Sequence, residues 1–201
     1  TRSLNGNEGE MELQPGQVNW GDVNSQPYPG AIHLWLMRAF AAGSKLTCSY
    51  RFREVLSGSE LYHYGFVGTD GVTPTTGGLQ YKQAAEEMQL LRKHYTEPTK
   101  MPAGYAARKT GMVYSIDSRW DVDNHKQSVR WNTINHALRY YRALKSMGAP
   151  VDVITEDKDF NAYPFLVVTA DQVVDLDLVA RWKSYAEQGG HLVITCRTAQ
   201  K

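Results

Sequence analysis

The second half of the chain alternates short apolar segments with longer amphipathic ones, and this alternation most constrains the fold. Strands are predicted for the apolar runs 111–115, 151–154, 165–168 and 191–195. Helices are predicted over 132–147 and 176–188, where apolar residues recur every three or four positions and glycines follow. Strands that alternate with helices form a parallel sheet covered on both faces. We therefore expect an α/β domain whose last strand, 191–195, is central in the sheet.

The first half carries fewer but similar signals. Strands are predicted at 10–13 and 45–52, and helices at 30–42 and 79–95. Apolar side chains at helical spacing, Trp35 among them, are expected to face a core. The segment 58–78 is rich in glycine and threonine and predicts a long loop, which in compact domains is often functional. Prolines and a glycine without apolar periodicity mark 96–104 as a linker, so the predicted domains are 1–95 and 105–201.

Composition excludes several classes of protein. A formal net charge of +1 over 201 residues, from 22 basic and 21 acidic side chains, favours neither nucleic acid nor an anionic membrane as partner. No apolar stretch approaches the length of a membrane span.

Cys48 and Cys196 lie in apolar runs and are expected to be buried free thiols. Cys196 follows a strand as a nucleophile would, but Arg197 and Thr198 replace the glycine of such a turn, so we favour an inert thiol. No zinc spacing is present, and we expect no metal and no cofactor.

The beginning of the sequence is polar and lacks both an initiator methionine and the apolar core of a signal peptide. We therefore expect a piece of a longer polypeptide or a processed product. The compartment stays open at this stage, with the cytoplasm favoured.

One short stretch concentrates groups that suit a sugar site. Within residues 11–20 a carboxylate, Glu12, precedes a Pro-Gly turn, and the amides of Gln14 and Asn19 and the indole of Trp20 follow. A carboxylate can attack an anomeric carbon, amides hold hydroxyls, and an aromatic ring stacks on a pyranose face. The plain alternative is a surface turn with an incidental Glu12 and a core tryptophan. Glu10, two residues earlier, is expected to be a solvated or structural acid.

Taken together, these residues resemble glycoside hydrolase family 42, the β-galactosidases. The resemblance rests on Met11-Glu12-x-Gln14-Pro15-Gly16-x-Val18-Asn19-Trp20 and covers nearly the whole chain. Its later and weaker parts occur in the family's order: Pro29-Gly30, Leu34-Trp35, Tyr50-Arg51-Phe52-Arg53, and Glu60 with His63. Two features depart from the family pattern, namely the polar residues before Glu12 and the absence of an aromatic residue near Gly58.

The resemblance implies a fold and a set of roles. Residues 1–95 would form the C-terminal part of a (β/α)8 barrel, and 105–201 a flavodoxin-like or glutamine-amidotransferase-like domain that builds a trimer. Glu12 would be the nucleophile at the end of the seventh strand, where barrel enzymes place their chemistry. Trp20 would line the sugar subsite, and Glu60 and His63 would hold galactose hydroxyls. The structural alternatives are core packing for Trp20 and a merely structural histidine for His63.

The implied function is retaining hydrolysis of terminal β-D-galactosyl residues. The family's acid/base is a glutamate after an asparagine on the fourth strand, and it would lie before Thr1. This chain has the pair Asn7-Glu8, but Glu8 lies only four residues before Glu12, so we do not assign it that role. We therefore expect the isolated chain to be inactive and the complete protein to take β-galactosides. Two alternatives stay open: an α-L-arabinopyranosidase on the same frame, and a non-catalytic oligomerisation module. Arg51 and Arg53 would share one face of the strand 45–52.

Overall fold

The computed structural model describes residues 8–95 and 100–200. The chain divides into two compact units, 1–99 and 100–201. In the described part of the first unit two very short parallel strands, β1 (Gly9–Glu10) and β2 (Leu46–Thr47), pair with Gly9 opposite Leu46. The helices α1 (Ala31–Ala42) and α2 (Thr76–His94) follow β1 and β2 respectively. A strand, a helix and the next parallel strand in this order make the repeating unit of a β/α barrel.

The two helices of the first unit pack on one another. Ile32 and Leu36 of α1 and Ala84 of α2 are buried together, and Leu13 and Tyr81 pack against them. The core prediction for Trp35 is wrong, because that side chain is 40% exposed. It lies on the flank of α1, where the described residues of this unit provide no layer to cover it.

Both helices are set by their ends. Gly43 ends α1 with a positive φ of 100°, a conformation that glycine adopts without steric cost. Helix α2 begins at Thr76, three residues before the predicted start, because the Thr75 hydroxyl caps it by accepting from the Gly78 N–H. The predicted strand 45–52 is regular only at Leu46–Thr47.

The second unit is a parallel α/β domain, as predicted. Within residues 100–200 the strands are β3 (Thr110–Val113), β4 (Val151–Ile154), β5 (Phe165–Val168) and β6 (His191–Ile194). They pair in the order β4-β3-β5-β6, all parallel. The helices are α3 (Ala103–Ala106), α4 (Ile116–Asn124), α5 (Thr133–Ser146) and α6 (Leu176–Glu187), with a 3-10 turn at Phe160–Ala162.

The core of the second unit lies between the sheet and α6. Its buried members come from three strands, the 3-10 turn with the residue after it, and α6: Val113, Ile154, Leu166, Val168, Phe160, Tyr163, Leu178, Trp182 and Tyr185. Central strands β3 and β5 are buried almost throughout. Strand β6 was predicted to be central, but it lies at the edge of the described sheet and is largely exposed. Cys196, just beyond it, is an exposed free thiol and not a buried one.

Candidate active site

The loops that follow β1 and β2 meet at the carboxyl edge of the strand pair. The Tyr64 N–H donates to the Gln17 carbonyl at 3.0 Å. The amide of Asn19 donates to the carbonyl oxygen of Ser59. Adjacent parallel strands end at the same edge, so loops that are far apart in sequence are brought together there. This edge carries all four residues predicted to form the site.

A buried turn supports the first loop. Pro15 and Gly16 are buried against the start of α2, and an added Cβ on Gly77 would lie 1.5 Å from the Pro15 carbonyl oxygen. The Leu13 carbonyl accepts hydrogen bonds from the Tyr81 hydroxyl at 2.8 Å and from the Ser49 hydroxyl. The backbone on both sides of Glu12 is therefore tied to the core of the unit.

Glu12 itself is exposed, and its Oε1 accepts a hydrogen bond from the amide of Gln14. The sequence suggested Gln14 as a donor to a sugar hydroxyl, whereas here it orients the carboxylate. Glu12 also lies close enough to Tyr50 for its negative charge to contribute to the raised pKa of the phenol, behind the larger effect of the hydrogen bond to Glu60. The carboxylate is thus near the second loop and open to a ligand.

Glu60 is held by two donors. The Tyr50 hydroxyl donates to its Oε2 at 2.7 Å, and the Arg51 guanidinium donates to the same oxygen at 3.2 Å. The peptide bond between Tyr50 and Arg51 is cis. Hydrogen bonds to a charged acceptor are about twice as strong as neutral ones, so these two bonds hold the Glu60 carboxylate in one orientation.

His63 is 1% exposed and packs its ring edge-on against Tyr50, with 5.2 Å between ring centroids. Its backbone N–H donates to the Glu60 carbonyl at 3.0 Å, and its Nδ1 lies 3.2 Å from the Tyr64 carbonyl oxygen. An Nδ1 proton would serve that carbonyl and leave Nε2 as an acceptor. Tyr50 therefore contacts Glu60 and His63 with one side chain.

Trp20 is 72% exposed, which contradicts the alternative of core packing. Its neighbour Asn19 is bound to Ser59, the residue before Glu60. The indole accordingly stands at the rim of the same pair of loops, with its surface free to stack on a ligand.

The structure differs from the sequence-based expectations for Tyr50 and for the pair Arg51 and Arg53. Tyr50 was noted only as a motif residue, although it connects both halves of the site. Arg51 and Arg53 were expected on one face of a strand, but they diverge, since Arg53 donates to the Thr69 carbonyl at 3.0 Å and 2.6 Å. The residues are not in a regular strand, so the two-residue alternation does not apply.

In residues 8–95 and 100–200 there is no group of three or more histidine, cysteine or acidic side chains placed to hold a metal ion. Across these same residues, none of the helices combines the length and the apolar character that crossing a membrane requires.

The fold and the candidate site define a class: a β/α unit of the kind that builds (β/α)8 barrels, with acidic side chains at the carboxyl edge of its strands, followed by a parallel α/β domain. Residues 1–91 match the family model described as "Beta-galactosidase", and residues 108–201 match the one described as "Beta-galactosidase trimerisation domain". The chain belongs to the glycoside hydrolase family 42 β-galactosidases.

Relatives and solved structures agree with this assignment. The chain is 30% identical over 191 residues to the β-galactosidase BgaH of Haloferax lucentense, covering 95% of this chain and 27% of that protein. It is 27% identical to a Thermus thermophilus β-galactosidase, with 95% and 28% covered. Crystallised β-galactosidase from the psychrophilic Marinomonas ef1 aligns with a TM-score of 0.86 at 28% identity, over 98% of this chain and 30% of that one. The chain thus spans little more than a quarter of these relatives' length.

Proposed function

We propose that the chain is the nucleophile-bearing part of a retaining β-galactosidase, with Glu12 as nucleophile. The observation that carries the proposal is the convergence on Tyr50, which contacts Glu60 and His63 and lies within the electrostatic reach of Glu12. An exposed, oriented carboxylate beside a second, hydrogen-bonded glutamate suits a sugar whose hydroxyls must be held while its anomeric carbon reacts.

The chemistry proceeds in two steps. In the first, an Oε atom of Glu12 forms a bond to the anomeric carbon as the bond to the leaving oxygen breaks, and a second carboxylic acid gives that oxygen its proton. In the second, the same group takes a proton from water, whose oxygen displaces Glu12 and frees the sugar. We propose that this second acid lies in the part of the relatives' barrel that the present chain does not cover.

The remaining side chains would bind the sugar. Glu60 accepts from hydroxyl groups, and Trp20 stacks on the apolar face of the ring. His63 was expected to hold a hydroxyl as well, but it is 1% exposed, so we give it the role of supporting the loop that carries Glu60. We propose 1–95 as barrel and 105–201 as the domain that assembles a trimer. The name of the family model that matches the second unit supports the trimer, which sedimentation of the complete protein would test.

Substitution of Glu12 in the complete protein tests the proposal. Glu12→Gln removes the charge with little change in volume, and we expect turnover of a nitrophenyl β-D-galactoside to fall by about 10³-fold or more. Glu10→Gln, at an exposed acid two residues away, is the matched control and should keep the rate. Unchanged turnover in Glu12→Gln would remove the hydrolase assignment and favour a non-catalytic assembly module.

Two related measurements narrow the function. The isolated 201-residue chain should not hydrolyse the galactoside, because it supplies one acid of the pair. A parallel assay of the complete protein on a nitrophenyl α-L-arabinopyranoside distinguishes an arabinopyranosidase from a galactosidase, since the arabinopyranosyl group lacks the hydroxymethyl group of galactose. A higher kcat/KM on the arabinoside would replace galactoside by arabinopyranoside as the substrate.

A further inference from the structure

We propose that Tyr50 and Arg51 are positioning residues that turn Glu60 so that its Oε1 accepts a hydroxyl of the substrate. The inference deepens the proposed function and depends on it. Its basis is an asymmetry in the hydrogen bonds of one carboxylate.

Both donors to Glu60 use the same oxygen. The Tyr50 hydroxyl and the Arg51 guanidinium each bind Oε2, at 2.7 Å and 3.2 Å. Within residues 8–95 no hydrogen bond to Oε1 is formed, and the Glu60 side chain is 44% exposed. A carboxylate has about four acceptor positions, so a saturated Oε2 leaves Oε1 with its full capacity for an incoming donor.

The two donors also fix one another. The Arg51 guanidinium lies 5.0 Å from the centre of the Tyr50 ring, in cation–π range. The Tyr50 ring meets the buried His63 edge-on, so this contact restrains the orientation of the ring. Glu60 raises the pKa of the Tyr50 phenol through their hydrogen bond, which keeps the phenol protonated as a donor.

This arrangement determines which kind of ligand group can bind to Oε1 of Glu60. An ionised carboxylate only accepts hydrogen bonds, so the position facing Oε1 must carry a hydroxyl or another N–H or O–H donor. A site built to bind a hydroxyl discriminates strongly against the analogue that lacks it, because its own polar group is then left unpaired. Tyr50 and Arg51 thereby determine which hydroxyl of the sugar is required.

The test uses Tyr50→Phe in the complete protein with a panel of nitrophenyl galactosides, each lacking a single hydroxyl. The variant keeps the ring against His63 and removes only the donor to Glu60. We expect kcat/KM on the parent galactoside to fall about tenfold, as for loss of a hydrogen bond to a charged group. On the one deoxy substrate that lacks the hydroxyl bound by Glu60, wild type and variant should agree within about twofold.

Controls separate this role from general support of the fold. Tyr95→Phe, at the exposed end of α2, should leave kcat/KM unchanged on every substrate. Arg51→Gln should show the same dependence on the missing hydroxyl as Tyr50→Phe, because it removes the second donor to Oε2. Thermal unfolding of each variant reports folding independently of activity.

The outcomes distinguish the inference from the function. A Tyr50→Phe penalty that is equal on all deoxy substrates, or absent, overturns the positioning role while Glu12→Gln inactivity still supports the hydrolase. Activity that survives in Glu12→Gln overturns the function itself. A penalty confined to substrates that carry one particular hydroxyl supports the inference and identifies that hydroxyl.

Discussion

The carbonyl oxygen of Pro15 lies 1.5 Å from the point that a Cβ on Gly77 would occupy. The turn after Glu12 therefore sits directly on the first turn of α2, and only a residue without a side chain permits the contact. The buried Pro15 links the position of the proposed nucleophile to the helix that follows β2. Backbone that approaches backbone so closely is a recurrent reason for glycine.

Gly77→Ala should therefore disturb both stability and the site. The methyl group cannot fit without moving the turn or the helix, so we expect a loss of about 3 kcal/mol in the free energy of unfolding. Urea unfolding followed by tryptophan fluorescence measures it. Gly104→Ala is the control, since a Cβ there meets nothing within 4 Å. Equal stability of the two variants would show that the turn does not pack as described.

Tyr81→Phe tests the support of Leu13. The Tyr81 hydroxyl donates to the Leu13 carbonyl at 2.8 Å, and its ring packs on Phe66 with centroids 4.6 Å apart. Phenylalanine keeps the ring contact and loses the donor, while the Ser49 hydroxyl still serves the carbonyl. We expect a loss of about 1 kcal/mol in the free energy of unfolding and a modest fall in kcat/KM. An unchanged unfolding curve would contradict the role given to this hydrogen bond.

The buried carboxyl group of Asp171 should make the stability of the second unit depend on pH. It is fully buried after β5, and Ser118 donates to its Oδ1 at 2.6 Å. Burial raises the pKa of Asp171 to about 6 from 3.8. The folded state therefore holds the proton more tightly than the unfolded state, and the free energy of unfolding should fall as pH rises from about 4 to 6.

Asp171→Asn should remove this dependence. The amide keeps an oxygen for Ser118 and has no charge to lose, so the variant should exceed wild type by about 2 kcal/mol above pH 6 and approach it near pH 4. Urea unfolding between pH 4 and 8 gives the comparison. Asp177→Asn, at an exposed acid in α6, is the control. A variant that is less stable than wild type at pH 7 would show that the ionised carboxylate is stabilising.

The sequence predicted the elements that are buried on both faces more accurately than those that are exposed. Strands β3 and β5 were located to within about two residues because both faces are buried, which leaves continuous apolar runs. Helix α4 was missed because its large apolar residues, Ile116 and Trp120, face outward while the small Ser118 and Val122 face inward. That arrangement gives almost no amphipathic pattern.

The site was predictable only in its separate parts. Glu12 and Trp20 were singled out through a motif within ten residues, and Glu60 and His63 through the resemblance to the family. The contact of Tyr50 with Glu60 crosses a loop without regular structure, where no periodicity relates sequence separation to position. The pairing of Asn19 with Ser59, 40 residues apart, likewise needed coordinates.

Covalent trapping identifies the side chain that bonds to the sugar. A galactosyl donor with fluorine at C2 and an activated leaving group slows the second chemical step, so a retaining enzyme accumulates the glycosyl-enzyme. Incubation of the complete protein, digestion and mass spectrometry locate the added sugar. We expect one label, on the carboxylate of Glu12. A label on Glu10, Glu60 or any other residue, or full inactivation without a label on Glu12, would contradict it.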